Sequence, residues 1–287
     1  MGAAANTLPG PVLTDYHVHL RPDDPGTTTQ KYFTAANVER FREAAEERGI
    51  EELGVSEHIH RFHASLDVWD HPFWRAQAAD DLEDYVEFVR EETDLRLGIE
   101  ADFIVGREDK MANLLDRHEW DYVIGSVHFL QDRAVDMQGA YDVWGRGERP
   151  ERIWKRYFET LAEAARSGLY DVIAHPDLVK LWGASHPMPE GDPRRYYEPA
   201  VEAFAEAGVA MEVSTAGLRK PVGEIYPARA FLEMAVEAGV PIALSSDAHL
   251  PEHIGFAYDQ ALELLSEVGI SEICVFERRE RRMEDVG

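Results

Sequence analysis

His17-Val18-His19 and Asp247-Ala248-His249 each set two ligand-type side chains at i and i+2, the spacing that puts both on one face of an extended strand, where they can meet a single cation. Glu57-His58, Glu100, His128 and His175 offer the same chemistry at four further places, each at the end of a short apolar run. Six imidazoles and three carboxylates gathered without a cation would leave many polar groups unpaired in a low-dielectric pocket, so the set points to bound metal. The two i, i+2 pairs can serve two neighbouring ions. Ligands made only of imidazole and carboxylate suit Zn, Mn or Fe and do not discriminate among them. The single cysteine, Cys274, excludes an internal disulfide and every site built on paired thiolates, and within an apolar run it reads as core.

The elements that must position these groups follow from the periodicity. Strands are predicted over residues 12–19, 50–57, 95–100, 121–128, 170–175, 209–214 and 240–246, with a last one over 272–276. Helical stretches lie between them at 36–48, 80–92, 150–167, 198–207 and 228–238, and Gly49, Gly168, Gly208 and Gly239 stop four of them. Such alternation in a chain of 287 residues fits one closed α/β barrel domain spanning 1–287, with residues 1–11 flexible; a doubly wound open sheet is the competitor. In a barrel every strand end points to the same mouth, so six strands would deliver their ligands to one basin. The tail at 277–282 alternates in sign and reads as a solvated helix face.

Other chemistries are excluded by what is missing. There is no G-x-S-x-G elbow, no G-x-x-x-x-G-K-[ST] loop and no G-x-G-x-x-G after a strand. Fifty-five acidic against 29 basic residues give a net charge of −26, which disfavours a nucleic-acid partner. No window approaches the roughly 20 apolar residues of a membrane span, and the start carries no leader pattern, so a cytoplasmic protein is expected. His63, His71, His118, His186 and His253 fall in loops or helices without a paired ligand and read as surface or packing residues. His60 mimics the H-x-H spacing with His58 but runs past the strand end and is left out of the ligand set. What remains is metal-assisted hydrolysis.

Asp15-Tyr16-His17-Val18-His19, Ser56-Glu57-His58, 98–103 (GIEADF), 121–128 (DYVIGSVH) and Ser246-Asp247-Ala248-His249 together resemble the successive motifs of the polymerase and histidinol phosphatase (PHP) family. Within it, 215–221 (TAGLRKP) and Glu224-Ile225-Tyr226-Pro227 are similar to the segment that marks its histidinol-phosphate phosphatases. The resemblance spans about residues 12–256. It implies a distorted (β/α)7 TIM-like barrel with two to three divalent ions. His17, His19, Glu100 and Asp247 would form the first site; Glu100 would bridge to a second completed by His128 and His175; His58 and His249 would belong to a third. Arg219 would bind the substrate phosphate, assisted by Lys180. The implied reaction is hydrolysis of L-histidinol phosphate to L-histidinol and phosphate, in histidine biosynthesis.

A hydroxide bridging two cations has a lowered pKa and needs no serine or cysteine nucleophile, and a bidentate arginine suits phosphoryl oxygens. Glu100, Asp247, His249 and Arg219 are the catalytic candidates, and Asp247, His249 and His58 the candidate acids for the leaving alkoxide. The loop at 20–26 lacks a histidine that family members usually carry there. Either Asp23 or Asp24 completes the third site in its place, or both are solvated turn residues beside Pro22 and Pro25. An amidohydrolase-type enzyme also opens with H-x-H, but that class often has a lysine bridging its metals, and here Glu100 stands at that position. A phosphoesterase acting on another small ester is the nearer alternative, and the oligomeric state is left open.

Overall fold

Apolar runs too short for helices, separated by amphipathic helical stretches, bury both faces most readily as parallel strands wrapped by crossover helices. The computed structural model describes residues 12–24, 26–186 and 188–286, so the expected flexible stretch 1–11 lies outside the described residues. Among the described residues, seven strands form one parallel sheet in chain order: β1 Thr14–Asp15, β2 Glu52–Val55, β3 Arg96–Asp102, β4 Tyr122–Ser126, β5 Val172–Ile173, β6 Ala210–Ser214 and β7 Ile242–Ser245. A helix follows each: α1 Ala35–Glu47, α2 Leu82–Glu92, α3 Glu108–Leu115, α4 Pro150–Arg166, α5 Arg194–Ala207, α6 Arg229–Glu237 and α7 Tyr258–Glu267. The sheet closes beyond the ends of β1 and β7. There Val18 bridges Ala248, with the His19 amide donating to the Ala248 carbonyl at 2.7 Å and the Ala248 amide to the His17 carbonyl at 3.0 Å. This is the distorted seven-stranded barrel, and it rules out the open sheet. No helix among the described residues is long and apolar enough to cross a membrane.

Local signals explain the helix limits. Thr34 caps α1 by accepting from the Asn37 amide at 3.2 Å, and Asp81 caps α2 by accepting from the Glu83 amide at 3.0 Å. Gly208, at φ 66°, ends α5 in the left-handed conformation that a side chain resists. On α4, Ile153, Trp154, Tyr157, Phe158 and Leu161 are buried on one helical face, as the i, i+3, i+4 spacing requires. Inside the barrel Tyr122 crosses beneath β2 and β3, donating to the Tyr16 carbonyl at 2.6 Å. A β-carbon on Gly54 or Gly98 would collide with its ring, so these glycines make room for the plug.

Two expectations about the C-terminal segment need correction. The last predicted strand, β8 Glu272–Glu277, does not join the parallel sheet. It pairs antiparallel with β9 Glu280–Asp285, which occupies the stretch read as a solvated helix. Cys274, Val275 and Phe276 are buried, and the Phe276 ring sits 5.8 Å from that of Tyr16, sealing one end of the barrel. The turn puts Arg278 at φ 51° and Arg279 at φ 63°, where arginine is rare. Both amides donate to Asp121, at 3.2 and 2.8 Å, and Arg279 pairs with Asp171 at 2.9 Å. The alternating charges are therefore spent on the barrel base. The strands are also shorter than predicted: only Thr14–Asp15 of 12–19 and Val172–Ile173 of 170–175 are ladder-paired, because the chain leaves the sheet where its ligand-type residues turn inward.

Candidate metal centre

The residues singled out by type and spacing converge on one basin at the C-terminal ends of the strands. Glu100 on β3 is its hub, buried with 1% of its surface exposed. Its Oε2 lies 3.5 Å from His17 Nε2 and 3.6 Å from His19 Nε2, and Asp247 Oδ1 lies 3.8 and 3.7 Å from the same two nitrogens. Its Oε1 lies 3.3 Å from His175 Nε2 and 3.6 Å from His128 Nε2. A third group gathers at the rim, where His58 Nε2 and His249 Nε2 are 3.4 Å apart. There Asp23 reaches the first with Oδ1 at 3.3 Å and the second with Oδ2 at 3.2 Å. His58 also turns Nδ1 to Glu100.

These spacings fit cations. Ions held at about 2.0–2.2 Å by nitrogen and oxygen ligands in a tetrahedron need donor atoms about 3.3–3.6 Å apart. His17 Nε2 and His19 Nε2 are buried without a hydrogen-bond partner, which a bound cation would supply. His19 is sandwiched between the rings of His58 and His249 at 4.1 and 4.2 Å, so its orientation is fixed.

Two buried carboxylates that sequence reasoning gave no role hold the rings in place. Glu212 on β6 accepts with Oε1 from His17 Nδ1 at 2.8 Å and Ser245 Oγ at 2.6 Å, and with Oε2 from the His175 amide at 2.6 Å. Asp102 faces His128 Nδ1 at 2.7 Å and His60 Nδ1 at 3.6 Å. Such carboxylate partners fix the ring tautomer and leave Nε2 free for a metal. The signal was present: Asp102 is i+2 from Glu100, and Glu212 is a lone charge inside an apolar strand. His175 and Asp247 adopt φ of 25° and 49°, sparsely populated for residues with side chains. Both are braced, the first through its amide on Glu212 and the second through its carbonyl, which accepts from Arg219 Nη2 at 2.9 Å.

Electrostatics follow from burial and neighbours. Burial opposes a charge on His17, yet the carboxylates of Glu212, Asp247 and Glu100 hold its pKa well above the ordinary value. His19, buried beside the rings of His58 and His249, lies well below. Burial would raise Glu100, but His58 and His17 hold it well below the usual carboxylate range. His58 is pushed up to about 9, chiefly by Glu100 and Asp23 against burial, and His128 to about 10, chiefly by Asp102 against burial. Burial lifts Asp136, on the basin wall, above its ordinary value.

Not every expected residue reaches the basin. Arg219, expected to clamp phosphate, is not among the residues that line it: Nη2 donates to the carbonyls of Ser246 and Asp247 at 2.7 and 2.9 Å, while Nη1 is buried without a hydrogen-bond partner. Lys180 is buried with its three donors facing Asp177 at 3.0 Å, Glu224 at 3.2 Å and the Ile225 carbonyl at 3.0 Å, leaving none for a substrate. Glu57 accepts from the Leu20 amide at 2.8 Å and from Arg21 Nε at 2.9 Å, facing away from the cluster. Lys220 and Arg61 are the basic side chains that do line the basin; among the described residues the Lys220 ammonium makes no side-chain hydrogen bond, and its charge acts on Asp247. Of the two loop aspartates, Asp23 faces the rim histidines and is held by Arg61 Nη2 at 3.0 Å. Asp24 is exposed and contributes its carbonyl to a turn with Thr27. The groups whose ligand atoms all lie within 4.8 Å of one another are His17, His19 and Asp247, then His17, Glu100 and His175, then His19, His58 and His249; His128 and Asp23 stand at their margins, and His60 lines the basin outside them. His71 stacks on Trp69 at 4.1 Å and His186 lies against Trp144 and Trp182, as packing residues should.

The basin encloses about 280 Å³, room for a small molecule. Comparison with known proteins gives a consistent neighbourhood. The PHP domain matches residues 29–216. The probable histidinol-phosphatase of Deinococcus radiodurans is 33% identical over 267 residues, covering 90% of this chain and 94% of that one. The histidinol-phosphatase of Bacillus subtilis is 27% identical over 248 residues, covering 78% and 91%. A crystal structure of histidinol phosphate phosphatase from Lactococcus lactis, in complex with zinc, L-histidinol and phosphate, superposes with a TM-score of 0.71 at 18% identity. It covers 95% of this chain and 98% of that one.

Proposed function

The chain belongs to the PHP domain family, and on that footing we propose that it is a metal-dependent phosphomonoesterase whose substrate is L-histidinol phosphate, hydrolysed to L-histidinol and phosphate. The observation that carries the reading is the division of Glu100: one oxygen belongs to the His17, His19 and Asp247 group and the other to the His128 and His175 group. One carboxylate thus joins two cation sites. Divalent ions bound there supply Lewis acidity and a water of lowered pKa. His17, His19, Glu100 and Asp247 would hold the first, Glu100, His128 and His175 the second, and His58, His249 and Asp23 the third.

The remaining chemistry falls to the chain's own side chains. Phosphoryl transfer is catalysed by positioning and by neutralising charge on the equatorial oxygens. Lys220 brings an ammonium that lines the basin beside Asp247 to that task, and Arg219 acts one step back by fixing the strained Asp247 carbonyl. The proton that the leaving alkoxide requires comes from water in the basin, because Asp247, His249 and His58 hold cations only in their deprotonated forms. The histidinol-phosphatases of Deinococcus radiodurans and Bacillus subtilis that the chain resembles support a small phosphoester as the partner, and the cytoplasm is the compartment proposed for the enzyme. The test is phosphate release from L-histidinol phosphate by protein loaded with zinc or manganese. Activity should vanish with a chelator and return with the ion, whereas chelator-resistant turnover, or turnover confined to other small phosphoesters, would overturn the mechanism or the substrate respectively.

The rim separates Asp23 from Asp24. Asp23→Asn should weaken the third ion about tenfold or more while the ions on Glu100 remain, since a carboxylate that faces both rim histidines is lost. Asp24→Asn should leave metal affinity unchanged. Titration of the metal-free proteins reads both, and equal affinity in the Asp23 variant and the parent would return Asp23 to the turn.

A further inference from the structure

Four carboxylates line the basin, and three are engaged by the histidine cluster. Glu100 and Asp247 face the buried rings, and Asp23 faces His58, His249 and Arg61. Asp136 differs. Its Oδ1 is buried without a hydrogen-bond partner, and among the described residues it has no ion-pair partner. The basin that it lines also carries the apolar side chains of Phe73, Phe129, Met137, Leu178 and Leu181, and His128 and His175 are the imidazoles whose charge acts on it. A buried carboxylate oxygen without a donor is costly unless a ligand completes it.

The backbone holds it ready. Asp136 follows a short hairpin, Phe129–Leu130 with Arg133–Ala134, that begins directly after His128. The Val135 amide donates to the His128 carbonyl at 2.9 Å, and the Val135 carbonyl accepts from Trp144 Nε1 at 3.1 Å and Trp182 Nε1 at 2.8 Å. Asp136 is thereby fixed beside the cluster on a loop that carries one of its histidines.

We propose that Asp136 is the subsite for an ammonium group on the alcohol portion of the phosphoester, with the apolar wall receiving the carbons and ring attached to it. The inference rests on the phosphomonoesterase reading and deepens it. The cluster and Lys220 take the phosphate end, and Asp136 selects an ester whose alcohol is an amine. A neutral alcohol of the same size would leave the carboxylate unsatisfied, which is how a built polar site rejects an analogue lacking the group.

The experiment measures binding by calorimetry at pH 8, where imidazole is neutral, to the zinc-loaded parent and Asp136→Asn. The probes are L-histidinol and 3-(imidazol-4-yl)propan-1-ol, which lacks only the amine. The parent should prefer L-histidinol by about 10- to 100-fold, the range of a hydrogen-bonded charge, and the variant should bind the two within about threefold. The ratio of kcat/KM for L-histidinol phosphate over phenyl phosphate should fall in the variant by the same factor. A parent without preference for the amine, or a variant that keeps it, overturns the proposal. So does loss of zinc from the variant, which would make Asp136 part of the metal centre. Should neither protein release phosphate from any ester, the phosphatase reading falls while the binding preference still decides the role of Asp136.

Discussion

Glu100→Gln is expected to lower phosphate release by far more than the roughly 10- to 100-fold that outlying ligand partners carry, and to cost at least one bound ion per chain. The reason is geometric. The two oxygens of this carboxylate reach two separate sets of nitrogens, His17 and His19 on one side and His128 and His175 on the other. An amide keeps the shape but turns one oxygen into a donor that repels a cation. One of the charges that raise the pKa values of His58 and His17 disappears as well. Metal analysis and phosphate release on the same sample read the effect. A variant retaining its metals and a tenth of its activity would show that Glu100 is not the shared ligand.

Glu212→Ala should act on both ions from behind. In the parent one carboxylate orients His17 through Nδ1 and pins the amide of His175, which sits in a strained conformation. Without it His17 can flip or change tautomer, and His175 loses the brace for its positive φ. Zinc affinity should fall about 10- to 100-fold, as for other carboxylate partners of metal-binding imidazoles. Thermal unfolding of the metal-free protein should also come at lower temperature, since Ser245 and the His175 amide are left buried without an acceptor. Glu212→Gln, which keeps acceptor capacity at one oxygen, should recover part of the affinity. Zinc binding within twofold of the parent in the alanine variant would contradict the assignment.

What the sequence made legible was set by chemistry that leaves a local trace. Strand-helix alternation, four glycine stops and the paired i, i+2 ligands were enough to place the barrel and bring His17, His19, Glu100, His128, His175, Asp247 and His249 to one mouth. The surroundings of the basic residues were not legible because charge says nothing about direction. Lys180 and Arg219 stand in the right loops, but buried partners consume the first, and the strained Asp247 backbone engages the second. Lys220, one residue further on, faces the basin instead. The C-terminal hairpin was hidden because its turn uses Arg278 and Arg279 where asparagine and glycine would have announced it, and long-range bonds to Asp121 hold the pair there. Glu212 and Asp102 were visible only as charges at strand positions that face inward, a signal that acquires meaning once the register is known.

Two cation sites sharing Glu100 are central to the proposed mechanism, and a titration of the metal-free protein with zinc, following phosphate release from L-histidinol phosphate against bound metal, tests this most directly. Activity should stay low through the first equivalent and rise to its maximum as the second and third are taken up. Full activity at less than one ion per chain would contradict it.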